Sequence, residues 1–97
     1  MIRDLINIQE AREIIFSLRR DFYSHDFIDA FRKRPQHQEE YRAIVERYTE
    51  DADRKANSLI ARFLSDNTDR LPIEKIGRGY TPNVHGNKTS CAIWKRN

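Results

Sequence analysis

One cysteine, Cys91, stands in this sequence, so no internal disulfide can form. A lone thiol is compatible with a reducing compartment. No apolar run approaches the roughly 20 residues needed to cross a bilayer. The N-terminal stretch MIRDLINIQEAREI carries acids and lacks the continuous apolar segment of a signal peptide. A cytoplasmic protein with no membrane partner is expected. Glycine is scarce, and all three, Gly77, Gly79 and Gly86, fall in the C-terminal third. None belongs to a Gly-rich loop followed by Gly-Lys-Ser/Thr, so nucleotide hydrolysis has no support. Internal repeats and low-complexity linkers are also missing. Acids give out towards the end: from Arg70 onward the chain carries Arg70, Lys75, Arg78, Lys88, Lys95 and Arg96 against Glu74 alone.

What is present suffices for one core. Hydrophobic residues make up 38% of 97 positions, which suits a single domain over residues 1–97 and leaves too little for a second. Residues 1–50 hold nine Lys/Arg against ten Asp/Glu, whereas residues 51–97 hold nine against five. The basic excess is therefore C-terminal, which points to a polyanionic partner, with an unpartnered basic patch as the plain alternative.

Helical spacing organises the first two thirds. Ile8, Ala11, Ile14, Ile15, Leu18 and Phe22 share one face, and Asn7 with Glu10 three residues later forms a capping box, so a first helix is expected from about Ile8 to Arg20. Ser24 offers an N-cap for a short second helix that carries Phe27, Ile28 and Phe31 and stops at Pro35. Its terminal Arg32, Lys33 and Arg34 read first as compensation of the helix dipole and second as a nucleic-acid contact.

The stretch ADRKANSLIARFLSDN, Ala52 to Asn67, is the centre of the pattern. Ala52, Ala56, Leu59, Ile60, Phe63 and Leu64 form a core stripe, while Arg54, Lys55, Ser58, Ala61, Arg62 and Ser65 make a small, cationic opposite face. Short side chains permit close approach to a phosphate backbone, and the cations neutralise it. Two readings of its N-terminal side stay open. Tyr41, Val45, Tyr48, Ala52, Ala56, Leu59 and Phe63 read as one unbroken helix of about 27 residues, whereas Thr49, Asp51 and Asp53 can cap a fresh helix near Ala52. The break is preferred.

After Asn67 the period changes, and the chain reads as a two-stranded hairpin, Pro72 to Gly77 outward and Ser90 to Arg96 back, with a long tip. Arg78, between two glycines, and Lys88 are the cations available to a partner. Tyr80, beside Pro82, is expected to pack on its own hairpin, and Trp94 and Cys91 to lie in or near the core. His25 and His37 lack carboxylates spaced to complete a ligand set with His85, so neither a metal nor another cofactor is expected. Ser24, His25 and Asp26 are sequence neighbours on a helix start and cannot form a triad; no catalytic residue is assigned.

This order of helices followed by a Gly-rich basic hairpin ending in Ala-Ile-Trp-Lys-Arg resembles a winged helix-turn-helix domain over Ile8 to Arg96. The chain also resembles small uncharacterised bacterial proteins that combine a Ser-His-Asp-Phe-Ile helix start, here Ser24 to Ile28, with an Asn-Val-His-Gly segment, here Asn83 to Gly86, and a Trp, here Trp94. The winged-helix resemblance implies a mainly α fold of three or four helices closed by a C-terminal β-hairpin. It implies a helix at Ala52 to Ser65 presenting Arg54, Lys55, Ser58 and Arg62 to the major groove of duplex DNA. Arg78 and Lys88 would then reach the flanking backbone or minor groove from the hairpin. The sequence departs from that pattern in the long segment between Pro35 and Ala52 and the long tip between Gly77 and Lys88. A non-enzymatic DNA-binding module is the first expectation. A protein-interaction or homo-oligomerisation module, built on the unbroken helix, is the second.

Overall fold

In the computed structural model, which describes residues 5–82, 86 and 88–97, the elements run α1 (Ile8–Ser17), β1 (Asp21–Tyr23), α2 (Ser24–Lys33), a 3₁₀ turn (Pro35–His37), α3 (Gln38–Val45), α4 (Ala52–Asp66), β2 (Ile73–Pro82) and β3 (Lys88–Arg96). The expected mainly α class is corrected by the sheet. Helices take 52% of the described residues and strands 25%, and the strands form a three-stranded antiparallel sheet in the order β1-β3-β2, a mixed α and β architecture. The third strand accounts for the difference. Phe22, which fits the helical stripe, sits instead in β1 and pairs with Trp94 of β3.

The first helix stops earlier than its apolar spacing implies. Asn7 Oδ1 accepts from the backbone N–H groups of Gln9 and Glu10 at 2.9 and 3.2 Å, which caps the start. At the far end Ser17 Oγ donates to the Ile14 carbonyl at 2.6 Å, and Leu18 is already extended at φ −91, ψ 172. Arg96 then donates through Nη1 to the carbonyls of Ile15 and Leu18, at 3.3 and 3.1 Å, placing a cation at the negative helix end. The sheet thus supplies the C-terminal cap of α1.

Ser24 is not a cap. Its hydroxyl lies inside the first turn of α2, buried, and accepts from the Trp94 indole N–H at 2.9 Å. The cap comes from Asp26, whose carboxylate accepts from the Tyr23 backbone N–H at 2.8 Å. At the other end of α2, Lys33 pairs with Asp29 at 2.9 Å and Arg32 lies 4.7 Å from the centre of the Tyr41 ring. These contacts engage Arg32 and Lys33 locally, beside the helix terminus whose dipole they offset.

The chain breaks where the capping residues stand. Helix α3 ends at Val45, and Asp51 takes a left-handed conformation at φ 49, ψ 38 before α4 begins. There is no unbroken helix, so the interaction reading loses the feature that motivated it. The α4 stripe of Ala56, Ile60, Phe63 and Leu64 is wholly buried with Phe27, Phe31, Ile44 and Trp94. Each large side chain buried in this way contributes about 1.5–3 kcal/mol. Buried Asn67 closes the helix: its Nδ2 donates to the Phe63 carbonyl at 2.8 Å, and its own carbonyl accepts from the N–H groups of Arg70 and Leu71 at 2.9 Å.

Two stability outcomes follow. Ser24→Ala leaves the Trp94 N–H buried without its acceptor and is expected to cost about 1–3 kcal/mol in urea unfolding; a loss below 0.5 kcal/mol, on the order of a surface substitution, would contradict that role. Asp51→Gly removes the steric cost of the left-handed backbone and is expected to hold or raise the unfolding midpoint, since the exposed Asp51–Arg54 pair it deletes contributes little.

Candidate functional site

The outer face of α4 and the inner face of the hairpin enclose a groove of about 430 Å³. From α4 come Arg54, Asn57, Ser58, Ala61, Arg62 and Ser65, a set spaced to share one face of a helix whose opposite stripe is held in the core. The start of α2 adds Ser24 and His25, and the hairpin adds Lys75, Arg78, Thr89, Ser90, Cys91 and Ala92. Among the described residues, four cationic side chains line the groove and no Asp or Glu does. Ser58, Ala61, Ser65, Ser90, Cys91 and Ala92 add small side chains to the lining, which lets a bulky anionic partner approach the backbone of both walls.

A β-bulge decides which hairpin residues face this groove. The pairing shifts between Lys75 and Gly77, so Ile76 is the extra residue and is half exposed. With strict alternation Lys75, Gly77 and Gly79 would share a face. Across the bulge, Lys75 pairs with Trp94, Arg78 with Ala92 and Tyr80 with Ser90, so Arg78 and Tyr80 share the face of Lys75, and Arg78 lines the groove. The glycines turn the other way. A Cβ on Gly79 would meet the Tyr23 ring at 3.0 Å and Ile93 at 3.2 Å, so the absence of a side chain there admits the aromatic ring from β1.

The six residues singled out from sequence divide accordingly. Arg54, Ser58, Arg62 and Arg78 come together in the groove; Lys55 and Lys88 are exposed but lie outside its lining. Arg54 pairs with Asp51 at 3.0 Å in a solvent-exposed contact, and Arg78 Nε donates to Ser90 Oγ at 3.2 Å. Lys55 stands 5.7 Å from the centre of the Tyr48 ring. Sequence reasoning missed Lys75, which pairs with Trp94 on the groove face, and Asn57, which Tyr41 fixes by donating from its hydroxyl at 2.9 Å. Burial raises the Tyr41 hydroxyl above its ordinary pKa, against the lowering effect of Arg32, which keeps it a donor. Tyr80 does not pack back on its hairpin: it is 75% exposed.

Cys91 lines the groove and is buried. Burial pushes its pKa up, while hydrogen bonds from the backbone at His25 and Ser24 pull the other way without reversing the shift. His25 is held by its Nε2 contact to Thr89 Oγ1 at 3.3 Å, and its Nδ1 is buried without a partner among the described residues. His85, named above beside His25 and His37, lies outside the described residues.

One sequence expectation fails in chemical detail. Carboxylates do join His37: Glu10 from α1 and Glu40 from α3 place oxygens 3.4 and 3.2 Å from its Nδ1. Glu10 is thus directed at His37, and the capping box read from sequence is carried by Asn7.

No protein family matches the chain, and no curated protein or solved structure is significantly similar to it. The groove is therefore read from its own geometry and charge.

The thiol gives a pH outcome. A raised pKa leaves less thiolate at neutral pH than in a free cysteine, so alkylation of the native chain by iodoacetamide should be slow at pH 7 and accelerate only above the ordinary thiol range. A rate profile with its midpoint below that range would contradict the dominance of burial.

Proposed function

We propose that this chain is a non-enzymatic DNA-binding module of the winged helix-turn-helix kind, working in the cytoplasm. One observation carries the reading: Arg54, Ser58, Arg62 and Arg78, from two separate elements, line one groove together with Lys75, with no acid in the lining among the described residues. Support also comes from the break at Asp51, which separates α4 from α3, and from the hairpin lying alongside α4. The major groove of B-DNA, about 12 Å wide, admits a helix of this kind. In this reading α4 enters it with Arg62 and Ser58 towards base edges and phosphates, and the hairpin contacts the neighbouring backbone through Arg78 and Lys88. The exposed Asp51 partner of Arg54 is no obstacle, because an exposed pair contributes at most about 1 kcal/mol and yields readily to a phosphate. A lone, unpaired Cys91 accords with a reducing compartment.

The test is a fluorescence-anisotropy titration with duplex DNA across a salt series. If the four groove cations each neutralise one phosphate, log K should fall with log[salt] with a slope of about −3 to −4. Arg62→Ala and Arg78→Ala should each weaken binding and reduce the slope by about 1, while Lys95→Ala, outside the groove lining, should leave it unchanged. No duplex binding at low salt, or losses equal for all three variants, would overturn the reading.

A further inference from the structure

We propose that Glu10, His37 and Glu40 form a site for one divalent transition-metal ion, on a part of the molecule that contributes nothing to the groove lining. The three donors come from three elements: the first turn of α1, the end of the 3₁₀ turn and the first turn of α3. Their ligand atoms all lie within 4.8 Å of one another.

The imidazole is the informative member. His37 has no exposed surface and is stacked on Phe31, with ring centroids 4.8 Å apart and planes 22° apart. Burying a polar ring is unfavourable unless its nitrogens are used. Here Nε2 has no partner among the described residues, so the ring's polar contacts are directed through Nδ1 into the cluster. Two carboxylates converge on that one nitrogen, an arrangement in which like charges share a single donor. A divalent cation would neutralise both and take the nitrogen as a third ligand.

The distances suit such an ion. Ligands placed about 2.0–2.2 Å from a tetrahedral metal are separated from each other by about 3.3–3.6 Å. Nδ1 already lies 3.2 and 3.4 Å from the two carboxylate oxygens. The Glu side chains are 38% and 40% exposed, which leaves the outer side open for the ion to arrive and for water to complete its shell. One nitrogen with two carboxylates favours Zn²⁺ or Mn²⁺ over Ca²⁺ and Mg²⁺, which prefer oxygen throughout. Ligation through Nδ1 requires the neutral imidazole tautomer that carries its proton on Nε2. The ion would tie α1 to α3 across the 3₁₀ turn, so occupancy should stabilise the native state.

The experiment uses the full chain, first stripped with a chelator. Titration with Zn²⁺ in a calorimeter should show one saturable equivalent, Co²⁺ should give visible ligand-field absorption, and saturating Zn²⁺ should raise the melting temperature. Glu10→Gln and Glu40→Gln keep the buried ring and change only half-exposed positions. Each should retain the far-ultraviolet circular dichroism spectrum and lose at least about tenfold in Zn²⁺ affinity. Cys91→Ser, which removes the other soft ligand, should bind as the unaltered chain does. Absence of saturable binding overturns the site, as does binding that survives both Glu substitutions or disappears in Cys91→Ser. DNA affinity is measured separately, so the two proposals fail independently.

Discussion

The hydrogen bond from the Trp94 indole to the Ser24 hydroxyl, buried and spanning 70 positions of sequence, holds the two halves of this fold together. Trp94 sits in the middle strand, between Phe22 of β1 and Lys75 of β2, and its far edge reaches into the first turn of α2. Two residues further along the same strand, Arg96 caps the carbonyls that end α1. One strand therefore fixes the position of the first two helices. Because α4 packs its stripe into the same cluster of Trp94, Phe27 and Phe31, the orientation of its cationic face is set by that strand as well.

The helices were legible from sequence because each carries its own local signal. Asn7 marks the start of α1, the spacing of Ala56, Ile60, Phe63 and Leu64 marks the buried side of α4, and the polar run before Ala52 marks the break that the left-handed Asp51 makes. The sheet was legible only in part. A three-residue strand has too few positions to show a period of two, and Phe22 fits the helical spacing of α1 as well as it fits β1. What places it in a strand is pairing with Trp94, a tertiary contact that nothing near Phe22 announces. Tertiary pairing here overrides local pattern.

At the groove, the α4 contribution could be read directly, since a helix of known buried stripe has a known exposed one. The hairpin contribution could not. A single extra residue at Ile76 reverses the parity of everything beyond it, so Arg78 faces α4 through a backbone irregularity that composition does not reveal. The cluster at His37 was missed from sequence, although half of it had a local signal. Glu40 lies three positions on, at the spacing that brings side chains together on a helix, whereas Glu10 arrives from another element altogether. Local spacing can suggest a pair of ligands; folding has to supply the third.

The strand order carries a kinetic consequence. The middle strand is the last element of the chain, so β1 emerges early in synthesis and then waits for a partner that forms only when residues 88–96 exist. Until then Phe22 and the first turn of α2 have no strand to pair with, and the loop that closes between Ser24 and Trp94 spans 70 positions. Closing it costs entropy before any contact is gained. Pairing at this sequence separation forms more slowly than the local contacts among α2, α3 and α4.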